Sequence, residues 1–378
     1  MQYKKFGPLG FQVSTLGFGC MRFPKTGPDP ASIDEREAIR MLNTAVDGGV
    51  NYLDTAYPYH KGQSEVLVGK ALKQGLKGRV KVATKLPLWL AKEPGDLDKF
   101  LDEQLEKLGV EAVDFYLIHS LNRKLWAKGR ELDVLAFLER ALKEGKIGHA
   151  GFSFHDQLGL FREIVDAFPW TFCQIHLNHV DRHYQAGLEG LEYAAGKGLA
   201  VVVMEPLRGG NLAVRVPAEV QEVWDRAEEK RSPVEWALRW LWSREEVSTV
   251  LSGMSTLEQV EENIRLAASP QPPLTDGERA LYDEVREMYL AKSRVNCTGC
   301  GYCQPCEQKV SIPDILGLYN DIFMYGASEE FIRTYGRMKE LKMDASLCTQ
   351  CGQCQEACPQ QLPIMDILQE AEKYRGQA

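Results

Sequence analysis

What the 378-residue sequence lacks narrows it first. No uninterrupted apolar run approaches the roughly 18 residues of a membrane-spanning helix, and the opening Met-Gln-Tyr-Lys-Lys-Phe-Gly has neither the apolar core of a secretory signal nor an Arg-rich presequence. The expectation is a cytoplasmic protein with no membrane partner. Positive charge is also short: 45 Lys and Arg against 53 Asp and Glu leave a net charge of -8, which argues against the extended basic footprint of a nucleic-acid-binding protein. A Gly-x-Gly-x-x-Gly dinucleotide fingerprint is missing, because Arg22 stands where the third glycine would follow Gly17 and Gly19. A doubly wound open sheet is therefore the second choice of architecture. Cysteine is scarce over most of the chain: Cys20 and Cys173 stand alone, whereas the other eight of ten lie between Cys297 and Cys358. That shift marks a domain boundary, and hydrophobic residues at 44% are ample for ordinary buried cores.

What is present before the boundary is an alternation. Tyr3–Phe6 and Gln12–Ser14 flank Gly-Pro-Leu-Gly as a small hairpin, and strand-like runs follow near Thr15–Gly19, Val50–Leu53, Val80–Thr84, Val113–Ile118, His149–Phe152, Phe172–Leu177, Ala200–Met204 and Thr249–Leu251. Helical patterns fall between them, among them Asp34–Asp47, Ser64–Leu72, Leu97–Leu108, Leu132–Lys143, Leu188–Ala195, Pro233–Trp242 and Thr256–Leu266. Eight such repeats in roughly 270 residues predict an α/β fold, a (β/α)8 TIM barrel. Pro270, Pro272 and Pro273 end it, a helix over Asp276–Leu290 leads out, and a smaller, mostly helical domain follows. The expected domains are 1–285 and 286–378.

The stretch Asn51–Glu65 puts Asp54 at the end of a short strand and Tyr59 five residues on, before a glycine-containing turn. Lys85 and His119 close two further strands in the same way. Singly, a strand-end Asp is a turn-former, a Lys a solvated charge and a His a structural residue. Together they suit carbonyl reduction. A tyrosine with a pKa of about 10 is a poor acid at neutral pH; an ammonium beside it lowers that value, a carboxylate holds the ammonium, and an imidazole can orient the carbonyl and stabilise charge on its oxygen.

These four residue types in this order, with Tyr59 in Asp54-Thr-Ala-x-x-Tyr, resemble the aldo/keto reductase family. The resemblance implies Asp54, Tyr59, Lys85 and His119 as a catalytic tetrad with Tyr59 as proton donor; Tyr57 lies two residues too early. It also implies a nicotinamide cofactor, NADP or NAD, bound by barrel loops. Gly19, Gly151, Ser153, Gln174 and Asn178 would surround the nicotinamide, although Ser153 and Gln174 could equally cap strand ends. Met204 stands where many relatives stack an aromatic on that ring and covers it less rigidly. Pro206, Leu207, Arg208 and Gly210 would form the pyrophosphate loop. Gly253, Ser255, Thr256, Gln259, Glu262 and Asn263 would hold the adenosine end. Gln259 takes the place of an Arg or Lys for a 2′-phosphate, which leaves NAD and NADP both open.

The C-terminal cysteines form two sets, Cys297, Cys300, Cys303 and Cys306, then Cys348, Cys351, Cys354 and Cys358 followed by Pro359. Tandem Cys-x-x-Cys-x-x-Cys spacing wraps iron–sulfur clusters and is superfluous for zinc, which needs four ligands; disulfides fit a cytosolic chain poorly. The region resembles an alpha-helical ferredoxin domain with two 4Fe-4S clusters. The resemblance implies crossed ligation, Cys297, Cys300 and Cys303 with Cys358, and Cys348, Cys351 and Cys354 with Cys306. The first set departs from the pattern, with two residues before its last cysteine and Glu307 instead of proline, so one cluster is the alternative. The remaining histidines, His60, His149, His155, His176, His179 and His183, have no metal spacing.

Two functions follow as expectations. The first is NAD(P)H-dependent reduction of a small aldehyde or ketone, with clusters serving electron transfer or structure. The second is an electron-transfer module trading electrons with a redox protein, with limited carbonyl reduction of its own. Hydride carries two electrons and a 4Fe-4S cluster accepts one, and no flavin motif mediates between them.

Overall fold

The computed structural model describes residues 1–295, 297, 303–326, 328–358 and 361–377. They pack as two compact units. The first comprises Met1–Leu177, Ala186–Pro206 and Leu238–Pro272; the second comprises Asn178–Gln185, Leu207–Ala237 and Pro273–Ala378.

The first unit opens with an antiparallel hairpin, β1 (Tyr3–Lys5) and β2 (Gln12–Ser14). Eight parallel strands follow: β3 (Leu16–Gly19), β4 (Tyr52–Asp54), β5 (Lys81–Leu86), β6 (Val113–Leu121), β7 (Ile147–Phe154), β8 (Phe172–His176), β9 (Ala200–Met204) and β10 (Val247–Ser252). Each pairs with the next, and β10 closes on β3, making the (β/α)8 barrel that the alternation predicts. Strands buried on both faces need a continuous apolar run, and Ala-Val-Val-Val at the start of β9 supplies one, with all four residues buried. The helices between strands are amphipathic: Gly95–Leu108 buries Leu97, Phe100, Leu101, Leu105 and Leu108 and keeps its charges outside.

Phe6, from the hairpin connection, packs with Tyr52, Phe115 and Phe172 at ring-centroid separations of 5.8, 4.7 and 5.6 Å. With Val13, Ala83, Leu117, Ala200, Val202 and Leu251 they form one buried cluster, so the hairpin contributes to the barrel core.

In the second unit, helix Asp276–Lys292 starts with a reciprocal cap between Thr275 and Glu278. Helices Ile312–Tyr325, Ser328–Glu340 and Ile364–Gln377 surround a core of Ile312, Ile315, Leu316, Phe331, Tyr335 and Leu368. The cysteines Cys297, Cys303, Cys306, Cys348, Cys354 and Cys358 pack against that core. No described helix is long and apolar enough to cross a membrane.

Candidate active site and cysteine-lined cavity

Asp54, Lys85 and His119 lie at or near the carboxyl ends of β4, β5 and β6, and Tyr59 begins a tight turn beyond β4. The tetrad residues meet there. Lys85 is fully buried, and its Nζ donates to Asp54 Oδ1 at 2.5 Å and to the Thr55 carbonyl at 2.8 Å. It lies 3.4 Å from the Tyr59 hydroxyl. Burial acts to lower Lys85, but Asp54 and Tyr59 outweigh it and leave the ammonium raised. Burial raises Asp54, against the attraction of Lys85. Tyr59 is likewise raised by its apolar surroundings, with Lys85 opposing. The expected lowering of the phenol is therefore present as one contribution, outweighed by the cost of charging a desolvated oxygen.

The His119 ring is 6.0 Å from that of Tyr59 and 5.2 Å from that of Trp89. Burial, with Lys85 adding to it, holds the imidazole well below its usual value, so it is neutral at pH 7. The register between β6 and β7 slips between Ile118 and Leu121, and Ser120 takes the left-handed conformation at φ 55°. Such a bulge re-aims a strand-end side chain, and here it carries His119.

Tyr57 is committed elsewhere. Its hydroxyl donates to Glu103 at 2.9 Å, Lys107 lies 3.8 Å over its ring, and burial with Glu103 pushes it up to about 12.

In the first unit, Gly19 sits where a Cβ would come 3.4 Å from the Ser252 carbonyl, and a side chain at Gly151 would strike the Phe172 ring. Ser153 Oγ accepts from the Ser120 N–H at 2.7 Å. Gln174 Nε2 reaches Met204 Sδ at 3.6 Å, while its buried Oε1 has no hydrogen-bond partner among the described residues. Asp54 Oδ2 and His119 Nδ1 are orphaned in the same way. Pro206 is buried. At the turn before helix Leu257–Ala268, Thr256 caps Gln259 N–H while Gln259 Oε1 accepts from Ser255 N–H at 2.8 Å. Asn263 donates to Ser252 Oγ at 2.9 Å, and Glu262 is half-buried on the same helix. Beside exposed Gly253 lies Arg22, whose Cδ would be 3.0 Å from a Cβ there. In the sequence Arg22 stands out only as the residue that spoils a glycine fingerprint; its place after Gly19, at the end of the first barrel strand, is the available signal.

In the second unit, Asn178 spends its side chain on a turn, accepting from Val180 and Asp181 N–H and donating to Asp181. Leu207 accepts from the Gly210 N–H at 2.9 Å, and Gly210 is left-handed at φ 102°. Arg208 donates to the Tyr325 hydroxyl at 2.9 Å and lies 3.6 Å from Asp181 and 3.8 Å from Asp321. Burial pushes Asp321 up to about 6, with Arg208 opposing.

A cavity of about 180 Å³ in the second unit is lined by Cys303, Cys306, Cys348, Cys351 and Cys354, together with Gln304, Val310, Met365 and Leu368. No disulfide joins the described cysteines, and Cys300 lies outside the described residues. Among the described residues no three acidic, His or Cys side chains already converge as metal ligands.

The parallel (β/α)8 barrel thus gathers a carboxylate, an ammonium, a phenol and an imidazole at its strand ends. The chain is a member of the aldo/keto reductase family, whose profile matches residues 15–287, and it also carries a 4Fe-4S dicluster domain, matched over 296–363. It is 24% identical over 298 residues to "Probable aldo-keto reductase 1" of Glycine max, covering 70% of this chain and 84% of that one. It is 28% identical over 297 residues to the L-galactose dehydrogenase of Arabidopsis thaliana, covering 70% and 87%. Among solved structures, the holo form of aldo-keto reductase AKR11C1 from Bacillus halodurans matches with a TM-score of 0.64 and 25% identity, over 75% of this chain and 96% of that one.

Proposed function

We propose that the chain is an NAD(P)H-dependent carbonyl reductase, cytoplasmic by its reduced-thiol chemistry, in which Asp54, Tyr59, Lys85 and His119 form the proton-transfer site. The observation that carries the proposal is the buried Lys85 ammonium shared between Asp54 and the Tyr59 hydroxyl, 3.4 Å away, with a neutral His119 alongside. When bound, a reduced nicotinamide supplies the hydride. The residues fit it: the orphaned Gln174 Oε1 is an acceptor for a carboxamide N–H, and Met204 Sδ beside it can cover a ring face. Arg22, exposed beside Gly253, is a cation for a nucleotide phosphate.

Neutral His119 donates a hydrogen bond to the substrate carbonyl oxygen. Tyr59 transfers its proton to that oxygen as charge develops there. Lys85 stabilises the tyrosinate left behind, and Asp54 keeps Lys85 charged and aimed at Tyr59. Trp89 and Leu90, 37% and 45% exposed after β5, and Met21, 56% exposed after β3, offer apolar surface to a small aldehyde or ketone. Run in the other direction, the same site oxidises an alcohol, as the name L-galactose dehydrogenase says of one relative.

The cysteine-lined cavity supports a second role in one-electron transfer with a redox protein. It brings Cys306 to Cys348, Cys351 and Cys354, the crossed set, together with Cys303 of the other set, and soft thiolates suit iron–sulfur ligation; Cys297, Cys303 and Cys358 with Cys300 would hold the other cluster. When bound, a 4Fe-4S cluster passes one electron at a time. The test is a carbonyl screen with NADH and NADPH on cluster-replete protein. Turnover without an added redox protein supports the reductase; turnover only with one supports the second reading.

A further inference from the structure

Helix Gln63–Ala71 begins just past Tyr59, and its first turn points two fully buried polar side chains inward, Ser64 and Glu65. Ser64 Oγ donates to the Cys20 carbonyl at 2.9 Å and shares a 2.8 Å hydrogen bond with Thr55 Oγ1. Glu65 reaches the other way. Its Oε1 accepts from Thr84 Oγ1 and from Gln104 Nε2, each at 2.6 Å, and Lys107 Nζ lies 3.5 Å from Oε2. Thr84 immediately precedes Lys85, Gln104 Nε2 is 3.0 Å from the Lys85 carbonyl oxygen, and Tyr116 donates to Gln104 Oε1 at 2.8 Å.

We infer that Glu65, acting through Thr84 and Gln104, is a positioning residue that sets the separation between Tyr59 and Lys85; this rests on the carbonyl-reductase reading. The turn carrying Tyr59 cannot set that separation alone. His60, Lys61 and Gly62 are all left-handed, at φ 52°, 53° and 87°, and two of them have side chains that disfavour it. Such a turn is held only where its surroundings over-determine it. One end is fixed by β4; the other is the helix carrying Glu65, and Glu65 is the bond from that helix to the strand bearing Lys85.

A buried carboxylate is a costly way to tie helix to strand. Burial raises Glu65, against its bonds from Thr84 and Gln104 and the attraction of Lys107, whose side chain stays 25% exposed. Apolar residues of similar volume would serve stability as well or better. What they could not supply is directional bonding to both Thr84 and Gln104. The functional separation is sensitive: attraction falls with distance, and moving the ammonium ~1 Å farther from the phenol raises the tyrosine by about one pH unit. Reduction requires protonated Tyr59, so that change moves the alkaline limb of the rate profile upward and weakens the acid.

The test uses the full, cluster-replete chain with Thr84→Val and Gln104→Leu combined, Glu65→Leu, and Glu65→Gln. Read are the pH profile of single-turnover 4-nitrobenzaldehyde reduction, NADPH affinity, KM, melting temperature, and a ¹³Cζ-tyrosine NMR titration of Tyr59 assigned with Tyr59→Phe. The expected result is turnover down about tenfold or more, with KM and NADPH affinity nearly unchanged. The alkaline limb and the Tyr59 titration should rise together by about one unit, and Glu65→Gln, which keeps an acceptor, should shift them less than Glu65→Leu. A lower melting temperature with an unmoved Tyr59 titration would mean Glu65 is only structural and overturns the inference, as would unchanged turnover. If the unmodified chain reduces no carbonyl at all, the reductase reading fails, while the NMR titration still decides whether Glu65 sets the Tyr59–Lys85 distance.

Discussion

Replacing Lys85 with methionine separates what the ammonium does for stability from what it does for chemistry. Lys85 is fully buried and Asp54 is 2% exposed, and the 2.5 Å bond between them is the only one to Asp54 Oδ1 among the described side chains. Deleting the cation leaves a buried carboxylate unpaired, a loss of about 3–5 kcal/mol where the partner stays charged. Asp54 escapes part of that by taking up a proton. Its folded value, already raised by burial, rises further, while the unfolded value stays near 4. A carboxyl raised on folding binds its proton more tightly in the native state, so stability is greatest at low pH and falls as pH rises from that unfolded value through the folded one. Lys85→Met should therefore be more destabilised at pH 8 than at pH 5.5, as read by hydrogen exchange of the β4 and β5 amides. Adding Asp54→Asn should recover most of that deficit at pH 8. It should not recover turnover, because Tyr59 still lacks its cation, and single-turnover reduction should stay about 10²–10⁴-fold down. Recovery of turnover along with stability would show that Lys85 serves architecture and would refute the reasoning.

Tyr57→Phe removes a half-buried bond to Glu103 and should cost about 1 kcal/mol or less, leaving steady-state turnover within a few-fold; equal loss at Tyr57 and Tyr59 would move the assignment of the acid. Protein prepared without oxygen should carry about eight irons by chemical assay if two 4Fe-4S clusters are bound. Cys306→Ser should lose about half of them if Cys306 is a ligand to one cluster, as its place in the cavity lined by Cys303, Cys348, Cys351 and Cys354 allows. Iron content unchanged in that variant would rule out the crossed ligation. His179 is held down to about 3 by burial and, less strongly, by Arg182, so it stays neutral when folded but charges near 6.5 when unfolded. Its contribution is present in full above about pH 6.5 and declines toward pH 3, by about 2 kcal/mol between pH 7.5 and 5. His179→Phe, which keeps a ring against Trp224 and Tyr282, should flatten that slope in tryptophan-monitored denaturation.

The barrel was legible because its signal is repeated. All eight apolar runs became strands, their ends displaced by a few residues at most, since burial on both faces demands β-branched and aromatic runs that little else in the chain mimics. The meeting of Asp54, Lys85 and His119 was legible for a related reason: strand ends converge in a barrel, so a polar residue closing an apolar run has a known destination. The bulge at Ser120 was not, because no residue there announces a register slip. Nor were the partners of side chains expected to face a nucleotide. Gln259 and Asn263 make bonds within or beside their own helix, and Arg208 finds Tyr325 more than a hundred residues away, a choice made by packing that no local pattern encodes. Glu65 was visible only as the last residue of the Asn51–Glu65 stretch. Its role depends on Gln104, which looks like a surface residue of an amphipathic helix until Thr84 and Tyr116 are brought against it.

The proposed function requires that a hydride reach a carbonyl carbon at the Tyr59–Lys85 site. The most direct measurement is transfer of deuterium from C4-deuterated NADPH or NADH to the carbonyl carbon of 4-nitrobenzaldehyde, followed by mass spectrometry in single turnover with the cluster-replete chain and its Tyr59→Phe variant. Deuterium should appear on the product alcohol from the unmodified chain, with transfer about 10²–10⁴-fold slower in Tyr59→Phe at nearly unchanged nucleotide affinity. Transfer at the same rate in both, or none from the unmodified chain with either nucleotide, would contradict that function.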